Sequence, residues 1–149
     1  MEQKKIFLIF FKLVLILFYF LIIIFIVVLY YSFPSNSFCI NINSQELKSS
    51  SNFGIHSIYI ENDSISEYYR IVWEKEESAP KIVRLRSIQD GYVIYKGWED
   101  KKLDIKRLIL KPNSVYTFIR HEANCAASFK VRIITDEKSN IKNASNICD

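Results

Sequence analysis

The most reactive side chains in the chain fall close together: His121, Glu122 and Cys125 lie within five positions. Imidazole, carboxylate and thiolate are all zinc ligands. A zinc site, however, gathers three or four of them at recognisable spacings, and neither a CxxC nor an HExxH pattern is present. A hairpin loop carrying one disulfide cysteine accounts for the same three residues. Cys125 with His56 or His121 would be the thiolate–imidazole pair of a cysteine nucleophile, but in an oxidising compartment a thiol with a second cysteine at hand is more often oxidised. The chain has three glycines, and no G-x-S-x-G, S-x-x-K or Gly-rich phosphate loop is formed around them. Glu74, Glu76 and Glu77 follow a strand pattern and read as a solvated turn. The expectation is therefore a protein without catalytic residues, metal site or cofactor, and not an enzyme.

Aromatic residues carry a stronger signal. Tyr68, Tyr69, Trp73, Tyr92, Tyr95, Trp98 and Tyr116 are more than one face of a small domain buries easily. Tyr, Trp and Arg are the residue types most enriched at the energetic centres of protein interfaces. Trp73 and Tyr116 alternate with polar residues, which suits core positions. Trp98 instead stands between Gly97 and the run Glu99-Asp100-Lys101-Lys102, poor company for a buried ring. The candidate protein-binding set is Trp98 with Tyr95, Glu99, Arg84 and Arg86.

The elements that must position these residues read as β. Period-two alternation marks Phe38–Ile42, Ile55–Glu61, Tyr68–Glu74, Lys81–Arg86, Tyr92–Lys96, Ile105–Lys111, Val115–Arg120 and Ser128–Thr135. Asn62-Asp63-Ser64, Gln89-Asp90-Gly91 and Lys111-Pro112-Asn113-Ser114 are turn-forming clusters between them. Seven or eight short antiparallel strands predict an all-β, immunoglobulin-like sandwich, with a small barrel as the alternative. Ser44–Asn52 reads as a polar loop. Residues 136–149 read as a polar tail, mobile unless Cys148 is bonded.

Ahead of this domain, Leu13–Leu29 is free of charge. With Ile6–Phe11 it covers roughly 24 positions, about 36 Å of helix, enough for a hydrocarbon core of about 30 Å. The run exceeds the usual h-region of a cleaved signal peptide, so residues 6–31 are expected to be an uncleaved transmembrane anchor in the lipid bilayer; cleavage before Phe38, with Ser35 and Ser37 as the small residues of the peptidase site, is the alternative. Lys4 and Lys5 precede it and no Lys or Arg follows until Lys48, which predicts a cytoplasmic stub at 1–5 and an extracytoplasmic remainder. Lys12 can snorkel to the headgroups, Tyr30, Tyr31 and Phe33 suit an outer aromatic belt, and Pro34 ends the helix. The division that follows is 32–52 for linker and first strand, 53–135 for the rest of the sandwich, and the tail. Without Lys4, Lys5, Lys12 and Glu2, the 20 basic and 16 acidic residues leave about +2 on the exported part. Its charges are interleaved, so a nucleic-acid partner is not indicated. Cys39, Cys125 and Cys148 all lie in that part. Three pairings are open; Cys125 with Cys148 is favoured, leaving Cys39 as a buried thiol in its alternating strand.

Three stretches carry a family likeness: Phe38-Cys39-Ile40-Asn41-Ile42 after the membrane segment, Ile58–Asn62 with Ile71–Glu74, and Leu110–Phe118, where a turn leads into a Y-x-F strand. Over most of residues 38–135 the chain resembles small bacterial envelope β-sandwich proteins, among them periplasmic immunity lipoproteins of type VI secretion systems. It departs from them in having a transmembrane anchor where they have a lipobox cysteine. The resemblance implies a single-pass inner-membrane protein with its domain in the periplasm and a protein partner there, and it transfers no catalytic residue. Two functions follow as expectations: a non-catalytic binding protein, such as an immunity protein neutralising a secreted toxin, or a structural subunit of a cell-envelope or secretion complex.

Overall fold

The protein is described by a computed structural model covering residues 2–32, 36–122 and 127–148. Helix α1 runs Glu2–Ser32. Its segment Phe11–Val28 has a mean hydropathy of 3.1, and all its side chains, Lys12 included, are exposed. By length and composition this one helix is able to cross a membrane. Lys4, Lys5, Tyr30 and Tyr31 belong to it, whereas Phe33 and Pro34 lie outside the described residues.

The second unit is the expected β-sandwich, built of ten described strands where the alternation suggested seven or eight. They are β1 (Phe38–Asn41), β2 (Glu46–Ser49), β3 (Ser57–Asn62), β4 (Tyr68–Trp73), β5 (Ile82–Arg84), β6 (Tyr92–Lys96), β7 (Lys101–Leu103), β8 (Val115–Arg120), β9 (Phe129–Thr135) and β10 (Ile141–Ala144). A three-stranded sheet has the order β1-β2-β5, and a seven-stranded sheet the order β10-β9-β8-β3-β4-β6-β7. All these neighbours pair antiparallel. Alternation sends Ile58 and Ile60 of β3, Tyr69 and Ile71 of β4, Tyr116 and Phe118 of β8, and Val131 and Ile133 of β9 inward. There they join Phe38, Ile40, Leu47 and Val83 of the smaller sheet in one core, as facing sheets do.

Four sequence expectations change. Ser44–Asn52 is not a loop throughout, because β2 lies inside it with Leu47 fully buried. Ile105–Lys111 forms no strand; it drapes Leu108 and Leu110 into the core and bonds through single contacts such as Leu108 N to Leu85 O. The presumed tail contributes β10 and a parallel bridge from Ile147 to Ile40. The disulfide joins Cys148 to Cys39, not to Cys125. The bridge from Ile147 carries Cys148 alongside β1, where its amide donates to Ile40 O, and that brings the two Cα atoms to 5.0 Å. Cys125 lies outside the described residues.

Side chains finish edges that backbone leaves open. The free edge of β5 is closed by Gln89, whose Oε1 accepts from Arg84 N and whose Nε2 donates to Ile82 O. One amide side chain thus reproduces a strand's pair of ladder bonds. Gln45 does the same between the sheets, donating to Ile141 O and accepting from Ile141 N.

A buried cation ties the other end of β2. Arg120, the last residue of β8, is 0% exposed. Its Nε meets Glu122 at 2.8 Å, Nη1 reaches Ser49 Oγ at 2.8 Å and Ser37 O at 3.4 Å, and Nη2 donates to Gly54 O at 2.7 Å. Glu122 also accepts the His56 amide. Position 54 must be glycine here, since a Cβ would fall 1.7 Å from Ala79 O.

Candidate interaction face

The outer face of the large sheet is set by strand register. Tyr59 of β3 opposes Arg70 of β4, Arg70 opposes Tyr95 of β6, and Tyr95 opposes Lys102 of β7. One cross-strand row therefore runs Tyr59–Arg70–Tyr95–Lys102, with side chains close enough to interact. In the neighbouring row Tyr68 opposes Glu61. Gly97 N donates to Tyr68 O at the end of β6. At φ +74°, with open space where a Cβ would be, Gly97 takes the left-handed turn that swings the chain back.

That turn brings Trp98 flat onto Tyr68, with ring centroids 4.9 Å apart and planes 2° from parallel. Tyr68 is 8% exposed although it points away from the core, because the indole covers it. Trp98 is 78% exposed, so one face of its ring is used and the rest is open. Tyr59 packs against the other side of the group at 5.9 Å from Tyr68. Burial pushes the Tyr68 hydroxyl up to about 12, which keeps it a neutral donor at any physiological pH.

Arg70 completes the patch. Its guanidinium lies over the Tyr95 ring at 5.1 Å, and Nη2 pairs with Asp100 at 3.0 Å. Its Nε is buried and meets no acceptor among the described residues. Tyr95 donates to Glu74, which also receives Lys102 at 3.2 Å. The Tyr95 hydrogen bond holds the Glu74 carboxyl below its usual range, and the same bond raises the Tyr95 hydroxyl. The result is two exposed or half-exposed aromatic platforms and a stacked arginine, rimmed by charges of both signs. Such a surface can bind by ring stacking and directed hydrogen bonds, the usual make-up of an interface centre.

Of the expected set, the structure brings Trp98 and Tyr95 onto this face, and Glu99 is exposed beside Trp98. Arg84 and Arg86 are not part of it. Arg84 belongs to the smaller sheet and pairs with Glu46, and Arg86, just beyond β5, donates to Asn140. Tyr59, Tyr68 and Arg70 were missed as members because the alternation shows which side a residue takes but not which strands are neighbours. Trp73 is partly buried, edge-on to Tyr92, with its indole N–H on Glu77 O. Tyr116 is in the core as expected. Glu122 is bound to Arg120, His121 is exposed, and among the described residues no three His, Cys, Asp or Glu side chains gather as a metal site would require.

Comparison with protein-family models, with curated proteins and with solved structures finds no match to this chain.

Proposed function

We propose that this chain is a membrane-tethered, non-catalytic binding protein that engages another protein through the outer face of its large sheet. The observation that carries the reading is Trp98, four-fifths exposed on a turn built to hold it, with Tyr68 as its backing and Arg70 and Tyr95 beside it. A large ring held rigid in solvent loses little entropy on binding and gains much contact area. The apolar helix supports the tether, and the position of Lys4 and Lys5 before it supports a domain outside the inner membrane, in the periplasm. In its narrowest form the reading is an immunity protein that neutralises an incoming toxin. The structural-subunit alternative rests on the helix instead and predicts that exchanging residues 6–31 for an unrelated anchor abolishes function.

The test is affinity capture from membranes with the full-length, carboxy-tagged protein, followed by titration of the partner against Trp98→Ala. One dominant extracytoplasmic partner is expected, with affinity falling by about 2 kcal/mol or more in the variant. Unchanged affinity in Trp98→Ala removes this face from the interaction. Partners confined to membrane subunits, and lost on exchange of the helix, favour the structural role.

A further inference from the structure

A second concavity lies apart from the aromatic face, between the smaller sheet and the β9–β10 turn. It encloses about 250 Å³ and is lined by three cations from three separate segments: Arg86 after β5, Arg107 in the draped segment, and Lys138 in the turn. No Asp or Glu lines it. Arg107 and Lys138 are exposed and form no ion pair with any described residue, and Arg86 meets only the neutral Asn140 side chain. Asp136 lies close enough to Lys138 to feel its charge, but three cations against that one carboxylate leave a field that favours an anion.

The floor is apolar. Leu108 and Leu110 are buried at its base, and Ile109 stands 52% exposed at its mouth. Ile109 and Leu110 lie outside any strand, and neither makes a main-chain hydrogen bond with a described residue. Nearby Leu108 N already bonds to Leu85 O, as a strand beginning to pair would. The volume lies below the roughly 300–1,000 Å³ of small-molecule sites. It suits one or two side chains of a longer molecule better than a whole metabolite.

From these features we infer that the cleft receives an extended, acidic segment of a partner protein. Its carboxylates lie against Arg86, Arg107 and Lys138, an apolar side chain enters above Leu108, and its backbone pairs along Ile109 and Leu110. A free anion would satisfy the cations but leave the apolar floor and the unpaired backbone unused; a peptide strand uses all three. This inference does not depend on the aromatic face.

The probe is a labelled, end-blocked hexapeptide of alternating Glu and Leu, titrated by fluorescence anisotropy into the full chain held in neutral detergent micelles. Saturable binding is expected, weakening with added salt. Affinity should fall at least about tenfold in the double variant Arg107→Glu, Lys138→Glu and stay unchanged in Trp98→Ala. The altered side chains are exposed and in no salt bridge with a described residue, so the variant should keep its circular dichroism; should it not fold, Arg107→Gln carries the test with a smaller loss. The inference is overturned by absence of saturable binding, or by equal binding of the Lys and Leu counterpart. It is also overturned if inorganic phosphate binds where the peptide does not, or if Trp98→Ala removes binding while the charge reversal leaves it.

Discussion

Arg120 and Arg70 stand on strands of the same sheet with only β3 between them, and they do opposite things. Arg120 points inward, has no exposed surface, and spends its guanidinium on Glu122, Ser49, Ser37 and Gly54. Arg70 points outward over the Tyr95 ring, half-exposed, with Asp100 as its ion-pair partner. A guanidinium enclosed by acceptors is a clamp, because every group it touches is lost if it is removed. One set half-exposed over an aromatic ring and paired with a surface carboxylate presents its charge and its flat face to solvent, where a partner can meet them. The difference between holding the fold and meeting a ligand lies in the strand face and the count of acceptors, not in residue type.

The largest effect should come from the clamp. Arg120→Ala strands the Glu122 carboxylate and the Gly54 carbonyl, and is expected to cost about 3–5 kcal/mol of unfolding free energy. Urea denaturation measures it. A loss as small as that of a surface substitution would erase the contrast between the two arginines, as would a stability loss of the same size in Trp98→Ala.

Next in size is the Cys39–Cys148 bridge, which closes a separation of 109 residues. Paired Cys39→Ser and Cys148→Ser replacement should lower stability by about 2–4 kcal/mol, read from the shift in denaturation midpoint. Cys125→Ser should have no comparable effect. A loss of equal size in Cys125→Ser would overturn the Cys39–Cys148 pairing.

Acid should produce the smallest change and separate the two regions further. Hydrogen bonds hold Glu74 below its usual 4.5, through Tyr95, and Asp90 and Asp136 below 3.8, through Lys106 and the Asn140 amide respectively. A carboxylate depressed in the folded state contributes stability above its unfolded value and loses it as pH falls through the folded one. The melting temperature is therefore expected to drop between about pH 5 and about pH 3, and Glu74→Gln should flatten part of that slope. A profile that Glu74→Gln leaves unchanged would mean the Tyr95–Glu74 bond contributes nothing to the outer face.

Much of this architecture was legible in the chain, and the exceptions share a cause. Tyr92–Lys96 and Val115–Arg120 match β6 and β8 residue for residue, because β-branched and aromatic residues crowd those runs. β2, β7 and β10 were invisible: Glu-Leu-Lys-Ser and Lys-Lys-Leu bring one apolar side chain each and Ile-Lys-Asn-Ala two, and their pairing is imposed by neighbours. Ile105–Lys111 shows the converse, an alternation whose Leu108 and Leu110 reach the core without a strand to pair with. At the candidate face, Trp98 announced itself by its charged neighbours. Arg70 and Tyr59 could not, since only the register of β3, β4 and β6 makes them one row. The disulfide was hidden for the same reason: spacing along a chain says little about Cα distance across a fold.

The seam between β1 and residues 146–148 bears on how the domain is made. The strand nearest the apolar helix in sequence obtains its second neighbour from residues more than 100 positions later. During synthesis β1 must wait, with one edge bare and Cys39 unable to reach Cys148, until all the other described strands have emerged. Contacts of that span make folding slow and expose a sticky edge in the interval. A chain stalled or clipped before Ile147 would keep that bare edge and an unpaired thiol on Cys39. Closing the seam therefore separates finished molecules from partial ones.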